Sequence, residues 1–143
     1  MKKRLSTHDL SGALRVAVAR LSRRLRAEKE DDELSDSQTA TLGYLVREGS
    51  ATIGRLSEFE RVKPPSMNRT VNRLEEAGYV ERTSDAGDGR KVVVVPTDRG
   101  TELVAETRRR RDAWLHQRLD ALTPEERSTL AEAARIMRQL ADS

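Results

Sequence analysis

The stretch from Lys63 to Arg90, KPPSMNRTVNRLEEAGYVERTSDAGDGR, constrains the fold more than any other part of the chain. A residue before proline is disfavoured in the α region, so a preceding helix must stop by Lys63. Pro64 and Pro65 suit the first positions of a new helix, where a missing N–H is harmless. That helix runs to about Ala77, and Gly78 stops it. Tyr79 to Ser84 and Lys91 to Val95 then bracket a turn rich in Asp and Gly, the pattern of a β-hairpin, and Val92 to Val95 is a β-branched run. A short helix leading directly into a hairpin follows from these residues alone.

The charge is concentrated in the same place. Of the chain's net +3, the segment Arg61 to Arg73 supplies +4 through Arg61, Lys63, Arg69 and Arg73 with no acid, so the remaining residues carry −1. At 100° per residue, Met67, Val71, Leu74 and Gly78 form a buried side, and Ser66, Arg69, Thr70 and Arg73 form a second cluster roughly 120° away. Arginine donates bidentately to guanine O6 and N7, while Ser and Thr reach base edges or phosphate. Asn68, Asn72 and Glu75 point further round. In the hairpin, Asp88 lies two residues before Arg90 and is placed to orient it, and an arginine so held suits a narrow minor groove of negative potential. The combination reads as a winged helix-turn-helix on duplex DNA, the helix in the major groove and the hairpin in the adjacent minor groove.

The flanking segments are helical. Ser6 or Thr7 can cap a first helix with the stripe Leu10, Leu14, Val18, Leu21 and Leu25, about 20 residues and roughly 30 Å long. Glu28 to Glu33 reads as a solvated acidic loop. Ser35 and Gln38 have capping-box spacing and open a second helix that closes at Gly49. Thr52 caps a third, with Ile53, Leu56 and Phe59 inward. Thr97 caps a long fifth helix carrying Leu103, Val104, Trp114, Leu115, Leu119 and Leu122. Thr123, Pro124 and Glu126 open a sixth, with Leu130, Ala134, Met137 and Leu140 along one face. Arg108 to Arg111 wraps the fifth helix, and salt bridges to the acidic loop or to another helix are its expected role. Trp114, the only tryptophan, is expected to pack in a core.

The fold class is therefore mainly α with a small β-hairpin wing, organised as an N-terminal dimerisation helix (1–34), a winged helix-turn-helix (35–99) and C-terminal dimerisation helices (100–143). With 143 residues and 3% aromatics, one chain would struggle to cover the apolar stripes of the outer helices, so a two-fold dimer is expected through residues such as Leu10, Leu14, Leu119, Leu130, Met137 and Leu140. The absence of cysteine excludes disulfides, thiolate metal sites and a thiol redox sensor. His8 and His116 lack metal-ligand spacing, and no P-loop, GxSxG or HExxH motif is present, so neither catalysis, a metal nor a cofactor is expected. MKKRL is followed by no apolar run, which gives a cytoplasmic reading.

Across nearly its whole length the chain resembles the MarR family of winged-helix regulators, named for multiple antibiotic resistance. The resemblance rests on LSDSQ, on VKPPSMNRTVNRLEEAGYVER, and above all on the wing DAGDGRKVVVVPTDRG with Asp88, Arg90, Thr97 and Gly100. It implies a dimer with interdigitated terminal helices, Arg90 in the minor groove, and Pro64, Ser66, Arg69, Thr70 and Arg73 at the major groove. It also implies a repressor, released when a small molecule shifts the spacing of the two reading helices. The Pro64–Pro65 doublet departs from the family pattern. The full set of candidate DNA contacts is Lys63, Pro64, Pro65, Ser66, Asn68, Arg69, Thr70 and Arg73 on the helix, with Asp88, Arg90 and Lys91 on the wing. The target is a pseudo-palindromic double-stranded operator. The alternative is an architectural or protein- or RNA-binding module without an effector.

Overall fold

The computed structural model describes residues 4–28, 34–85 and 87–143, without the Asp88 side chain. The element order is α1 (Thr7–Arg26), α2 (Asp36–Glu48), α3 (Ile53–Glu60), α4 (Pro64–Glu76), β1 (Val80–Asp85), β2 (Asp88–Pro96), α5 (Asp98–Asp120) and α6 (Pro124–Ala141). The chain is thus mainly helical with one antiparallel hairpin. It divides into two units, 29–109 and 1–28 with 110–143, the boundary falling within α5. Most of the expected acidic loop, residues 29–33, lies outside the described residues.

Local sequence sets each boundary. The Ser6 hydroxyl accepts from the Asp9 N–H, and the Ser35/Gln38 and Thr123/Glu126 pairs both form complete capping boxes, satisfying N–H groups that a helix start leaves unpaired. Gly49 and Gly78 end α2 and α4 with φ of 89° and 81°, backbone that a Cβ disfavours.

In unit 29–109 the core gathers Leu42 and Leu45 from α2, Leu56 from α3, Met67, Val71 and Leu74 from α4, and Val80 and Val94 from the hairpin, each at most 1% exposed. The apolar face expected of α4 is the face it buries. Phe59 is a correction. It is 42% exposed, its ring tilted by 39° against Tyr44 with centroids 4.4 Å apart, because α3 buries the face of Leu56 and Ser57 and leaves Phe59 at its edge. A second difference is the isolated bridge between Ala51 and Val94, paired through Ala51 N–H to Val94 O (3.1 Å) and Val94 N–H to Ala51 O (2.8 Å). It adds a third rung beside the hairpin.

The corner between α3 and α4 is strained. Arg61 adopts φ 54°, ψ 44°, a left-handed conformation costing a non-glycine residue roughly 1 kcal/mol. Arg61→Gly is therefore expected to stabilise the protein by roughly 0.5–1 kcal/mol, read as a higher urea midpoint at unchanged slope. A lower midpoint would contradict it.

In unit 1–28 with 110–143, neither α1 nor α6 buries a single residue. Leu10, Leu130, Met137 and Leu140 are exposed, and Leu14 and Leu119 are half-buried. Trp114 does not sit in an apolar core as expected. It is half-buried, and the guanidinium groups of Arg24 and Arg118 lie over its ring, 4.7 and 4.0 Å from the centroid, as cation–π contacts.

Candidate nucleic-acid interface

Helix α4 begins without the amide donors that make many helix starts anion sites. Its first two positions are proline, and the Ser66 and Met67 N–H groups both donate to Lys63 O, at 3.0 and 3.2 Å. Any phosphate contact at this end must therefore come from side chains such as Lys63, which is exposed and makes no capping bond. The proline doublet thus removes a phosphate cradle while still fixing the helix start.

The four-residue face holds together. Arg69 and Arg73 are exposed, Ser66 and Thr70 half-buried. Arg69 Nη2 donates to Ser66 Oγ at 3.2 Å, and Thr70 Oγ1 donates to Ser66 O at 3.3 Å. Ser66 therefore presents Arg69, while Thr70 turns its hydroxyl to its own helix.

Asn68, Asn72 and Glu75 lie further round the helix, beside the reading face, where all three face Arg82 of β1. Arg82 donates to Glu75 Oε1 (2.8 Å), Asn72 Oδ1 (2.8 Å) and Asn68 Oδ1 (3.5 Å), and its backbone N–H donates to Glu75 Oε2 (3.3 Å). Asn68 Nδ2 also donates to Pro64 O at 3.2 Å. Sequence reasoning missed Arg82 because this pairing joins residues 7 to 14 positions apart across a turn, beyond any helical periodicity.

The wing is β1 paired antiparallel with β2, from Val80 opposite Pro96 to Ser84 opposite Val92, with a bulge at Ser84/Asp85. Asp85 shapes the turn, its Oδ1 accepting from the Gly87 N–H at 3.2 Å. The orienting role expected of Asp88 falls on a side chain outside the described residues. Arg90 is exposed on β2. Lys91 borders an open cleft with Thr52, Arg55 and Glu58 along α3. There the Tyr44 hydroxyl, followed by Glu58, raises the Arg55 pKa, and at the far end of α3 partial burial pushes the Glu60 carboxyl up.

The α4–wing assembly is tied to α5 by three bonds. Thr97 Oγ1 donates to Gly78 O (2.7 Å), Thr97 N–H to Tyr79 O (3.0 Å) and Arg99 Nη1 to Ala77 O (2.8 Å). The acidic residues 29–33 that the basic run on α5 is expected to meet lie outside the described residues. Among the described residues, Arg109 pairs with Glu106 of its own helix, and Arg111 Nε donates to Leu25 O at 3.2 Å, closing the end of α1.

A family model described as MarR family matches residues 33–91, from just before α2 into the wing. An HTH-type transcriptional regulator of Mycobacterium tuberculosis is 43% identical over 133 residues, covering 93% of each chain. The chain belongs to the MarR family. The HTH-type transcriptional repressor MdtR of Bacillus subtilis is 26% identical to this MarR-family chain over 135 residues, 94% of this chain and 85% of MdtR. Streptococcus pneumoniae FabT, solved in complex with DNA, shares the fold with a TM-score of 0.72 at 20% identity, covering 93% of this chain and 92% of that one. This MarR-family protein is thus a DNA-binding transcriptional regulator and not an enzyme. Among the described residues, no helix is long and apolar enough to cross a membrane, and no group of three or more His, Cys, Asp or Glu could hold a metal.

Proposed function

We propose that the protein is a cytoplasmic, homodimeric repressor that binds a pseudo-palindromic operator, α4 of each subunit in the major groove and the wing in the adjacent minor groove. The observation that carries this reading is the division of α4 into a buried face and the exposed Arg69/Arg73 face beside the hairpin. Two further findings support it: MdtR is named a repressor, and FabT was crystallised on DNA. The reading assigns 35–99 to DNA recognition and the helices of 1–34 and 100–143 to dimerisation. It places Lys63, Pro64, Pro65, Ser66, Asn68, Arg69, Thr70 and Arg73 along α4, and Asp88, Arg90 and Lys91 on the wing, at or beside the duplex. A small-molecule effector completes the scheme, acting by favouring spacings of the two α4 helices that no longer match the operator.

Titration of labelled duplex across a salt series tests the assignment. Arg90→Ala should weaken binding to all sequences and lower the log–log salt slope by about one, as loss of one phosphate or groove cation requires. Arg69→Ala and Arg73→Ala should instead relax base preference, each by about 1–3 kcal/mol at one position of the half-site. If all three substitutions leave operator binding unchanged, this docking is wrong. Equal affinity of the wild-type protein for every duplex would favour an architectural role.

A further inference from the structure

Arg82 lies on β1, where none of the assigned DNA contacts falls, yet its guanidinium reaches three acceptors on one flank of α4. Asn68, Asn72 and Glu75 are spaced at i, i+4 and i+7 and so share one stripe of the helix. A guanidinium only donates, so the amide atom that each asparagine turns toward it is oxygen. For Asn72 the bond is short, at 2.8 Å, and it directs Oδ1 toward β1. Asn72 is itself exposed, about 60° around the helix from Arg69 and so at the margin of the reading face.

That orientation has a consequence for base selection. Asparagine recognises adenine through two bonds to one base edge, its oxygen accepting from N6 and its nitrogen donating to N7. With its oxygen directed at Arg82, Asn72 cannot bring both groups to one edge. Its outward end is the NH2 group, which meets only acceptors: phosphate oxygen, guanine O6, thymine O4, or the N7 that adenine and guanine share, so that it no longer distinguishes adenine. We propose that Arg82 is a specificity-determining positioning residue, which holds Asn72 as a donor-only group and so removes the two-bond recognition that singles out adenine from this flank of α4. The inference rests on α4 being the reading helix. It does not rest on stability, because an ion pair as exposed as Arg82–Glu75 (side chains 26% and 42% exposed) contributes little.

Selection from a random duplex pool tests it, run in parallel with the wild-type protein, Arg82→Ala, Arg82→Lys and Arg69→Ala, each with its melting temperature. Lysine keeps a charge for Glu75 but lacks the fork that also reaches Asn72, and it carries the test if the alanine variant unfolds the hairpin. Both Arg82 variants should enrich adenine about fivefold or more at one new position per half-site, with little change in melting temperature for Arg82→Lys. Adding Asn72→Ala to Arg82→Lys should abolish the gain. If the Arg82 variants select the wild-type motif while Arg69→Ala selects an altered one, α4 still reads DNA and the role of Arg82 is overturned. A gain that survives Asn72→Ala overturns it equally. If Arg69→Ala also selects the wild-type motif, the reading of α4 fails and the inference with it.

Discussion

Gly100→Ala should destabilise the DNA-reading unit by about 3 kcal/mol or more, a large fraction of the stability of a domain this size. A Cβ at position 100 would fall 2.2 Å from the carbonyl oxygen of Tyr79 and 3.1 Å from Leu42 Cδ1. The first contact is with backbone, so no rotamer change relieves it. Moving α5 outward would instead break the bonds from Thr97 to Gly78 O and Tyr79 O, and the Gly100 N–H bond to Thr97 Oγ1 that caps the helix. The Tyr79 carbonyl is buried beside the start of β1, so its lost partner would not be replaced by water at no cost. Urea unfolding followed by circular dichroism measures the change, and a shift below about 0.5 kcal/mol would contradict the close approach. Leu42→Ala should not rescue the variant, since it leaves the backbone collision in place.

The second large effect concerns assembly. Leu10→Glu combined with Leu140→Glu should give a monomer at micromolar concentration in sedimentation, with operator affinity falling about 1,000-fold or more toward the non-specific level. These leucines are 51% and 58% exposed on helices that bury no residue of their own, the apolar surface that the proposed dimer would cover. The core that holds α4 and the wing lies in 29–109, so the monomer should keep its hairpin and reading helix folded. A variant that remains dimeric would place the interface elsewhere.

Features written in local chemistry could be read directly from the sequence. The capping pairs at Ser35/Gln38 and Thr123/Glu126, the prolines opening α4 and the buried face of Met67, Val71 and Leu74 are decided within one or two helical turns. What the sequence did not disclose depends on contacts between distant segments or on conformations ordinary for other residues. Nothing local marks Arg61 as left-handed, since glycine is the usual signal and arginine occupies the position. Ala51 is paired with Val94 through backbone alone, which leaves no side-chain signature. Phe59 has the spacing of a core residue, but α3 turns the face of Leu56 and Ser57 inward and leaves it at the edge. At the candidate site, the reading face was legible as a charge pattern. The engagement of Asn68 and Asn72 by Arg82 was not, because it required knowing which face of α4 the hairpin returns to.

The central claim is that two copies of the Arg69/Arg73 face read one duplex together. Selecting bound sequences from a random duplex pool with the wild-type protein tests it most directly. One enriched pseudo-palindrome is expected, its half-site centres about one helical turn apart, roughly 10 base pairs. Enrichment of a single half-site without its inverted partner, or of no sequence at all, would contradict it.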